Sequence, residues 1–361
     1  MILNGKMKSI RLTAAMLASA VCALAGTAQG ADDKDLVAAA LKEGTLTVYH
    51  ATDAAYSKPL FDGFSKKYGI QVVDMDLGVS TTYSRIIAEF AASQVTADIA
   101  WSSAMDTMLA LAQDGYAETY QSSEASNIPA WANYQDMVYA TTVEPYAVVF
   151  NTDALKEAQL PKTYAEMIAF LKDQKSISAK TAAYDPEKAG AGFINFMFDS
   201  QQRPDFWDWA SALGTTQVKL YSGSGSVKEG VLSGENSLAL GVIGSYAFGW
   251  AKESPKIGVH FFTDYTPAFS RLALITKGAP HPNAAKLFLD YMLSKDGQQL
   301  ISGAGLPSVR SDLKDALTFD TLNARVGGGL KPIPLDDKLV DFVDPMKRAG
   351  FLKQWRVAIG R

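Results

Sequence analysis

The sequence predicts an α/β protein of two domains, each with a mostly parallel sheet covered by helices. Short apolar segments alternate with helical segments of about ten residues, which is typical of βαβ units. This alternation stops and begins again near Tyr146. The chain has 361 residues, of which 48% are hydrophobic and 20% charged, and this is enough for two hydrophobic cores.

Strands and helices alternate three times along the first part of the chain. The helices are predicted at 35–43, 59–68 and 82–93, and the strands at 45–50, 70–75 and 97–101. Gly44 directly follows the first helix, and glycine readily adopts the left-handed conformation that ends helices. In the second helix, Leu60, Phe61 and Phe64 have the spacing of one buried face. Strands joined through helices form parallel sheets that are covered on both faces.

The same alternation returns in the second part of the chain. It starts with an apolar strand at 146–151, after which Thr163 and Glu166 form the capping box of a helix. Further helices are predicted around 193–198, 206–213, 227–233 and 283–293, and further strands at 237–243, 257–262 and 272–276. Ser294 is positioned to cap one more short helix.

The N-terminal 30 residues have the features of a secretory signal peptide. Its three cations are Lys6, Lys8 and Arg11. They precede an apolar segment at 12–25 that is too short to span a bilayer as a helix. Small residues follow, and we expect cleavage after Gly30. Loss of the three cations changes the net charge from −4 to −7. We therefore expect an exported protein located in the periplasm.

Composition and motifs exclude several classes of function. A net charge of −4 and the lack of long Lys or Arg runs do not suit a nucleic-acid surface. Cys22 is the only cysteine and lies in the predicted signal peptide, which excludes disulfides and thiolate zinc sites. Ser245 follows Gly244, but Ala247 replaces the second glycine of a hydrolase nucleophile elbow. We expect no catalytic residues, no cofactor and no bound metal; an unusual exported hydrolase is the alternative.

Four polar loops that follow strands or begin helices are the candidate ligand-binding sites. Their candidate residues are His50, Thr52, Ser80, Thr81, Thr82, Ser102, Ser103, Gly190 and Ala191. Open α/β sheets bind ligands at the carboxyl ends of their strands, where the free N–H groups of helix N-termini favour anions. Each serine or threonine has an alternative role as a helix cap. Four such loops at one sheet edge favour a polar cleft.

The most specific segment of the sequence is 274–301 (LITKGAPHPNAAKLFLDYMLSKDGQQLI), which reads as a strand, a Gly-Ala-x-His-Pro turn and a helix. Supporting segments are 97–106 (ADIAWSSAMD), 143–155 (VEPYAVVFNTDAL) and 226–242. In these segments the chain resembles the periplasmic solute-binding proteins of ABC importers, in the group that includes ferric-ion-binding proteins. The resemblance covers nearly all of the chain after residue 30.

The resemblance implies a type II periplasmic-binding-protein fold, in which two α/β lobes enclose a ligand cleft. Lobe 1 is expected at 31–144 plus 268–316 and lobe 2 at 145–267, with the tail 317–361 packed mainly on lobe 2. Ligand contacts from both lobes would bias a hinge motion towards closure. The implied function is that of a monomeric receptor that delivers a small solute to the membrane permease of an ABC importer. Presentation of the solute to a sensor kinase is an alternative role.

Two motifs of the resembled family bear on the ligand. Ferric members hold the metal with two adjacent tyrosines; here Tyr246 stands at the first position and Ala247 at the second. The loss of one phenolate argues against iron, although Tyr246 and His50 remain an alternative pair of metal ligands. Members that bind organic anions have a Ser-Gly-Thr-Gly type of helix start, which is Ala-Gly-Ala-Gly at 189–192 here. Its backbone N–H groups are kept, but both hydroxyls are lost.

Arg271 is the candidate cation for an anionic ligand. It stands just before the predicted strand at 272–276 and near a predicted crossover between the lobes. Its planar guanidinium can bind a carboxylate through two parallel hydrogen bonds; a surface arginine is the alternative. Trp101, Tyr265 and Phe269 are candidates for the cleft walls. We therefore expect a small organic anion as the solute, either a carboxylate, a phosphate ester or a phosphonate.

Overall fold

The computed structural model of the chain describes residues 29–173, 177 and 180–361. The predicted signal peptide, residues 1–30, lies outside the described residues except for its last two positions, which belong to the first helix. In this part of the chain, no helix is long and apolar enough to cross a membrane.

The described residues form helices and strands in the following order. The helices are α1 (Gln29–Glu43), α2 (Ala54–Tyr68), α3 (Val79–Ala91), α4 (Met105–Gln113), α5 (Tyr164–Asp173), α6 (Gly190–Gln202), α7 (Phe206–Thr215), α8 (Ser224–Leu232), α9 (Gly244–Glu253), α10 (Pro282–Leu293), α11 (Lys295–Gly303), α12 (Phe319–Arg325) and α13 (Pro345–Ala358). The strands are β1 (Thr45–His50), β2 (Gln71–Asp76), β3 (Ile99–Ser102), β4 (Asn133–Tyr134), β5 (Val138–Ala140), β6 (Glu144–Asn151), β7 (Thr181–Tyr184), β8 (Lys219–Tyr221), β9 (Leu238–Ile243), β10 (Ile257–His260), β11 (Thr266–Phe269), β12 (Leu272–Ile275) and β13 (Leu330–Pro332). Short 3₁₀ helices occur at Ala125–Asn127, Ala130–Ala132, Glu157–Gln159 and Asp337–Phe342.

The first sheet has the strand order β2-β1-β3-β12-β5-β4. β1 is parallel to β2 and β3, with His50 opposite Asp76 on one side and Trp101 on the other. The carboxyl ends of these three strands therefore lie at one edge of the sheet, where α2, α3 and α4 begin. β12 pairs antiparallel with β3 and β5. The α/β class predicted from the sequence is confirmed, but this sheet is mixed rather than fully parallel.

The second sheet has the order β13-β11-β6-β9-β7-β8, and β10 pairs with β6 outside this path. β7 is parallel to β8 and β9, whereas β6 is antiparallel to β9, β10 and β11. Every residue of β6 is buried, because helices cover both faces of the sheet. This sheet is also mixed.

Two antiparallel crossing segments, 141–143 and 270–271, join the two sheets. The first connects β5 to β6, and the second connects β11 to β12. The N–H of Arg271 donates to Oγ1 of Thr142 at 2.8 Å, and the N–H of Thr141 donates to the carbonyl of Arg271 at 2.9 Å. These bonds continue the strand pairing from one sheet to the other. The chain also passes between the two halves after α11, beside the first crossing segment, where the N–H of Val143 donates to the carbonyl of Pro307 at 2.9 Å.

The C-terminal tail contacts both halves of the molecule. β13 pairs with β11 of the second sheet, and Trp355 of α13 stacks on Phe196 of α6 with ring centroids 4.8 Å apart. Between them, Asp337 accepts hydrogen bonds from Gln113 of α4 at 3.0 Å and from Tyr134 of β4 at 2.7 Å. The tail was expected to pack mainly on lobe 2, but residues 335–342 lie against the side of the first sheet as well.

Some elements differ from the sequence prediction for identifiable reasons. α4 was missed because it is buried on almost every side and lacks the polar face that helical periodicity reveals. α2 begins at Ala54 and contains Pro59 inside it, whereas the prediction began the helix at the proline. α3 begins at Val79, so Ser80, Thr81 and Thr82 lie inside the helix rather than in a preceding loop.

Candidate functional site

The helices that begin at the carboxyl ends of the central strands lack side-chain caps. The N-cap residues in question are Asp53 of α2, Gly78 of α3, Ala104 of α4, Ala189 of α6 and Ile243 of α9, and none forms a side-chain cap hydrogen bond. By contrast, α11, α12 and α13 in the last part of the chain are capped by Ser294, Thr318 and Asp344. The uncapped helix ends offer N–H donors and the positive end of the helix dipole.

The predicted hydroxyl residues of the first sheet do not act as these missing caps. Thr82 is buried and its hydroxyl donates back to the carbonyl of Gly78 at 2.8 Å. Ser80 and Thr81 are exposed in the first turn of α3. Ser102 is buried and accepts from the N–H of Ala104 at 3.2 Å, and Ser103 is half-buried beside it. The alternative role of these serines and threonines as helix caps is therefore wrong.

His50 and Thr52 form a buried turn after β1. The N–H of Thr52 donates to Nδ1 of His50 at 3.2 Å, so the proton of the ring lies on Nε2. Nε2 is 2.5 Å from Oδ1 of Asp74 in β2. Both ring nitrogens of His50 thus have partners within the protein. The side chain of Thr52 points towards the crossing segments, where it meets Arg271.

The fourth predicted loop belongs to the other sheet. Gly190 and Ala191 begin α6, which follows β7 of the second sheet. The carbonyl of Ala191 accepts a hydrogen bond from the hydroxyl of Tyr146 in β6 at 2.8 Å. The expectation that all four loops share one sheet edge is wrong: three follow the first sheet and one follows the second, because the chain crosses between the sheets before residue 144.

Arg271 is the central cation of the junction between the sheets, and only 1% of it is exposed. Its Nε lies 2.9 Å from Oε1 of Glu144, and its Nη2 lies 3.4 Å from Oε2 of the same carboxylate. Glu144 is fully buried at the start of β6. The alternative of a surface arginine is therefore wrong, since the guanidinium is enclosed together with its counter-ion.

The outer edge of the Arg271 guanidinium contacts one hydroxyl from each half of the molecule. Nη1 donates to Oγ1 of Thr52, after β1, at 3.1 Å. Nη2 donates to the hydroxyl of Tyr246, in α9, at 3.2 Å. Burial raises the pKa of the Tyr246 phenol above its ordinary value, and Arg271 offsets only part of this rise. Tyr246 is therefore a neutral partner, and its ring also stacks on Tyr56 of α2 at 5.2 Å.

Glu144, Thr142 and Ser245 are site residues that the sequence analysis missed. The hydroxyl of Ser245 donates to Oε2 of Glu144 at 2.5 Å, and that of Thr142 donates to Oε1 at 3.0 Å. The carboxylate is thus held by two hydroxyls and a cation, as a buried charge requires. Glu144 could have been noticed in the sequence, because it is an ionisable residue at the start of the long apolar strand that begins the second half.

The three aromatic residues expected in the cleft walls have other positions. Trp101 is fully buried and donates from Nε1 to the hydroxyl of Thr141 at 2.9 Å. Phe269 is buried and packs on Tyr146 with ring centroids 5.2 Å apart. Tyr265 donates to Asp199 at 2.9 Å, in the second half of the molecule. Trp101 and Phe269 are core residues near the junction.

The described residues offer little to a metal ion. Among them, no group of three or more His, Cys, Asp or Glu side chains could hold one. Ala247, at the position of the second tyrosine of ferric members, is fully buried. At the junction, the Arg271 cation is paired with the Glu144 carboxylate and otherwise contacts neutral hydroxyls.

Together, the fold and this junction define a class of protein: two α/β lobes joined by paired crossing segments, with polar groups of both lobes meeting between them. Proteins of this class hold a ligand between the lobes. The chain belongs to the bacterial extracellular solute-binding protein family, whose family model matches residues 49–299. This family comprises binding proteins rather than enzymes.

Solved structures agree with this assignment. The chain is 33% identical to the substrate-binding protein of an ABC transporter from Agrobacterium tumefaciens, with a TM-score of 0.78 over 87% of this chain and 94% of that one. It is 22% identical to iron-bound HitA from Pseudomonas aeruginosa, with a TM-score of 0.71 over 87% and 99% of the two chains. It is 19% identical to the periplasmic binding protein AfuA from Actinobacillus pleuropneumoniae, with a TM-score of 0.69 over 88% and 99%. No curated protein matches the chain.

These comparisons confirm the resemblance inferred from the sequence and the two-lobed type II fold that it implied. The chain is therefore a solute-binding protein of an ABC transporter. The HitA and AfuA structures share its fold, and their identities of 22% and 19% carry nothing about its ligand.

Proposed function

We propose that this solute-binding protein carries a small organic anion, a carboxylate, phosphate ester or phosphonate, to the membrane permease of an ABC importer without converting it chemically. The observation that carries the proposal is the outer edge of Arg271. Along this edge Nη1 donates to the neutral hydroxyl of Thr52 from one lobe, and Nη2, which also donates to Oε2 of Glu144, donates to the neutral hydroxyl of Tyr246 from the other. An anion that takes the place of those hydroxyls would contact both lobes at once.

The two edges of the Arg271 guanidinium have separate tasks in this proposal. Glu144 occupies the edge formed by Nε and Nη2 and offsets the cost of burying the cation. The edge formed by Nη1 and Nη2 has the planar geometry that binds carboxylate and phosphate oxygens in pairs. Because Thr52 and Tyr246 can rotate their hydroxyls, they can donate to the same anion. A ligand bound in this way favours the closed arrangement of the lobes.

The uncapped helix ends supply further donors for an anion. α2 and α4 begin in lobe 1, and α6 and α9 begin in lobe 2, all without side-chain caps. The net charge of −4, or −7 after removal of the signal peptide, gives no general attraction for anions. Local donors must therefore provide the recognition, and His50, Ser103, Gly190 and Ala191 stay candidate contacts beside Arg271.

We also propose the division of the chain into lobes that the sequence predicted, with one adjustment. The predicted bounds are 31–144 plus 268–316 for lobe 1 and 145–267 plus 317–361 for lobe 2, and the two separate sheets support this division away from the second crossover. β11, which ends at Phe269, pairs within the second sheet, so we place the second crossover at 270–271. The contacts of Asp337 with lobe 1 give the tail a part in the junction as well.

Ferric ion and a sensor kinase are the alternatives considered for cargo and partner. Ala247 stands where ferric members of the resembled group have the second of two adjacent tyrosines, and both nitrogens of His50 have protein partners. These contacts disfavour iron as the cargo. Presentation to a sensor kinase uses the same binding step as delivery to a permease, so a test of the ligand is a test of both roles.

A thermal-shift panel on protein that has been unfolded and refolded to remove bound solute tests the ligand class. The panel comprises organic carboxylates, phosphate esters, phosphonates, neutral sugars, cationic amines and ferric citrate. A true ligand at about 100 times its Kd adds about 2.7 kcal/mol of stability. We expect a member of the anionic classes to do this. Stabilisation only by an uncharged or cationic compound, or a stable coloured ferric complex, would show that the anion proposal is wrong. Release of a product from the bound compound would contradict the non-catalytic role.

A further inference from the structure

A cavity of about 380 Å³ lies in lobe 2 between the end of α6 and the tail segment 331–342. It is formed by other residues than those around Arg271. Its size is within the range of about 300–1,000 Å³ that small-molecule sites occupy.

The inner wall of the groove is apolar and rigid. Tyr265 contributes a half-buried aromatic ring to this wall, and the nearly buried Phe198, Ile333, Leu339 and Phe342 lie behind it and form the floor. The hydroxyl of Tyr265 donates to the buried carboxyl of Asp199 at 2.9 Å, which fixes the ring and uses its polar group. A ligand body at this wall meets flat apolar surfaces and no polar group that requires a partner. Such a wall fits a flat aromatic body.

The rim of the groove carries unpaired positive charge. Lys331 and Lys338 are exposed and line the groove, and neither forms an ion pair within the described part of the chain. Asp336 also lies at the rim, but its carboxylate accepts the N–H of Lys338 at 3.0 Å and caps the 3₁₀ helix Asp337–Phe342. The free side-chain amide of Gln201 completes the polar rim. The two lysines against the one carboxylate of Asp336 leave the rim with a net positive charge, which is complementary to a single anionic group.

We propose that this groove is a second ligand site, for a small molecule with a flat aromatic body and one carboxylate or sulfonate group. The aromatic body lies against Tyr265 and Phe342, and the anionic group lies between Lys331 and Lys338. The site is separate from the junction at Arg271, so a solute bound between the lobes does not compete for it. Binding at this groove is therefore independent of the proposed transport function.

Fluorescence titration with anilinonaphthalene sulfonate tests the site, because this dye combines a flat aromatic body with one sulfonate. Phenylnaphthylamine, which has a similar body without the sulfonate, is the matched uncharged probe. We expect the wild-type protein to bind one sulfonate dye per chain, and to bind the uncharged probe more weakly. Failure to bind the sulfonate dye with this stoichiometry would overturn the proposal.

Two variants locate the bound dye. Lys331→Gln/Lys338→Gln removes the rim charges and should weaken the sulfonate dye about tenfold or more while leaving the uncharged probe unchanged. Ile333→Trp fills the groove and should abolish binding of both probes. If Ile333→Trp does not fold, the lysine variant decides alone. Lys277→Gln/Lys314→Gln, which removes two exposed lysines outside the groove, is the control and should bind both probes as the wild type does. Unchanged dye binding by the rim variant would contradict the site.

Discussion

At the scale of single residues, Arg271 and Glu144 hold the two crossing segments together. The guanidinium and the carboxylate are both buried, and their remaining polar atoms meet hydroxyls of Thr52, Thr142, Ser245 and Tyr246. Burial of two charges costs free energy that only close pairing and hydrogen bonds offset. A substitution of either partner therefore leaves the other charge buried and unpaired. The residue proposed to bind the ligand, Arg271, thus also contributes to stability.

We predict that either single substitution, Glu144→Gln or Arg271→Met, lowers the free energy of unfolding by about 3–5 kcal/mol. The double substitution Arg271→Met/Glu144→Gln should lose much less than the sum of the two, because no unpaired charge remains. Urea unfolding of the four proteins measures this double-mutant cycle. Strict additivity of the two single effects would contradict the account of the pair.

Ser103 provides a smaller test of the binding surface in lobe 1. It is half-buried next to the uncapped start of α4. We expect Ser103→Ala to weaken solute binding by about 1 kcal/mol, the net value of one hydrogen bond, without a change in stability. Calorimetry with the solute found in the panel measures this. Ser84→Ala, on the exposed side of α3, should bind as the wild type does; equal effects of both variants would remove Ser103 from the site.

Asp199 gives the stability of lobe 2 a dependence on pH. Burial raises the pKa of its carboxyl to about 7, although Arg203 and the hydroxyls of Tyr265 and Tyr164 partly lower it. In the unfolded chain the pKa of this group is about 4, so the folded state binds more protons between about pH 4 and 7. Its contribution to stability is therefore present at low pH and is lost as the pH rises through this window.

Asp199→Asn should remove this part of the pH dependence. Urea unfolding of the wild type and the variant at several pH values between about 4 and 8 gives the difference in slope. We expect the stability of the wild type to fall with rising pH relative to that of the variant. Parallel curves would mean that Asp199 titrates alike in the folded and unfolded states.

The sequence identified one partner of the central ion pair and missed the other. Arg271 stood out because it precedes an apolar strand near a predicted crossover. Glu144 is 127 positions away along the chain, and no local pattern links the two. The burial of Arg271 was unpredictable for the same reason, since it depends on Glu144, Thr52 and Tyr246, which come from three separate elements.

At the scale of elements, α13 stabilises lobe 2 through an aromatic cluster. Trp355 is buried and lies within 4.8–6.5 Å, between ring centroids, of Phe196, Phe206, Trp209 and Phe351. The opposite side of the helix is polar apart from Met346 and Val357, which are exposed. The packing of these large rings therefore holds α13 against α6 and α7.

We predict that Trp355→Ala lowers the free energy of unfolding by about 3–5 kcal/mol, as the loss of a buried aromatic residue does elsewhere. Val357→Ala, two residues further along the same helix but 73% exposed, should change it by no more than about 0.5 kcal/mol. Thermal or urea unfolding of both variants checks this. Similar losses for the two variants would mean that α13 does not pack as described.

Local sequence patterns predicted most strands and the amphipathic helices, such as β1, β3, β9 and α10. They failed where burial hides the pattern or where a strand is very short. α4 and α9 are buried on more than one side, and β11 has only four residues, one of them Pro267. The mixed direction of both sheets follows from where the chain crosses between lobes, and this information is not local.

At the scale of the whole molecule, the fold places one buried cation between two lobes and surrounds it with groups from each. The crossing segments keep the lobes in register, while Thr52 and Tyr246 approach Arg271 from opposite sides. A solute that binds at this point gains contacts from both lobes only when they are closed. Under the proposed function, selection for an anion and closure of the lobes are parts of one binding step.

Titration calorimetry of the stripped protein with the anionic solute, for the wild type and for Arg271→Met/Glu144→Gln, is the most direct test of this account. The double variant keeps the junction free of unpaired charge, so a change in affinity reports the cation itself. We predict that it binds the solute at least about thirtyfold more weakly, a loss of about 2 kcal/mol, while Lys277→Gln binds it as the wild type does. Equal affinity of the double variant and the wild type would contradict the claim that Arg271 holds an anion between the lobes.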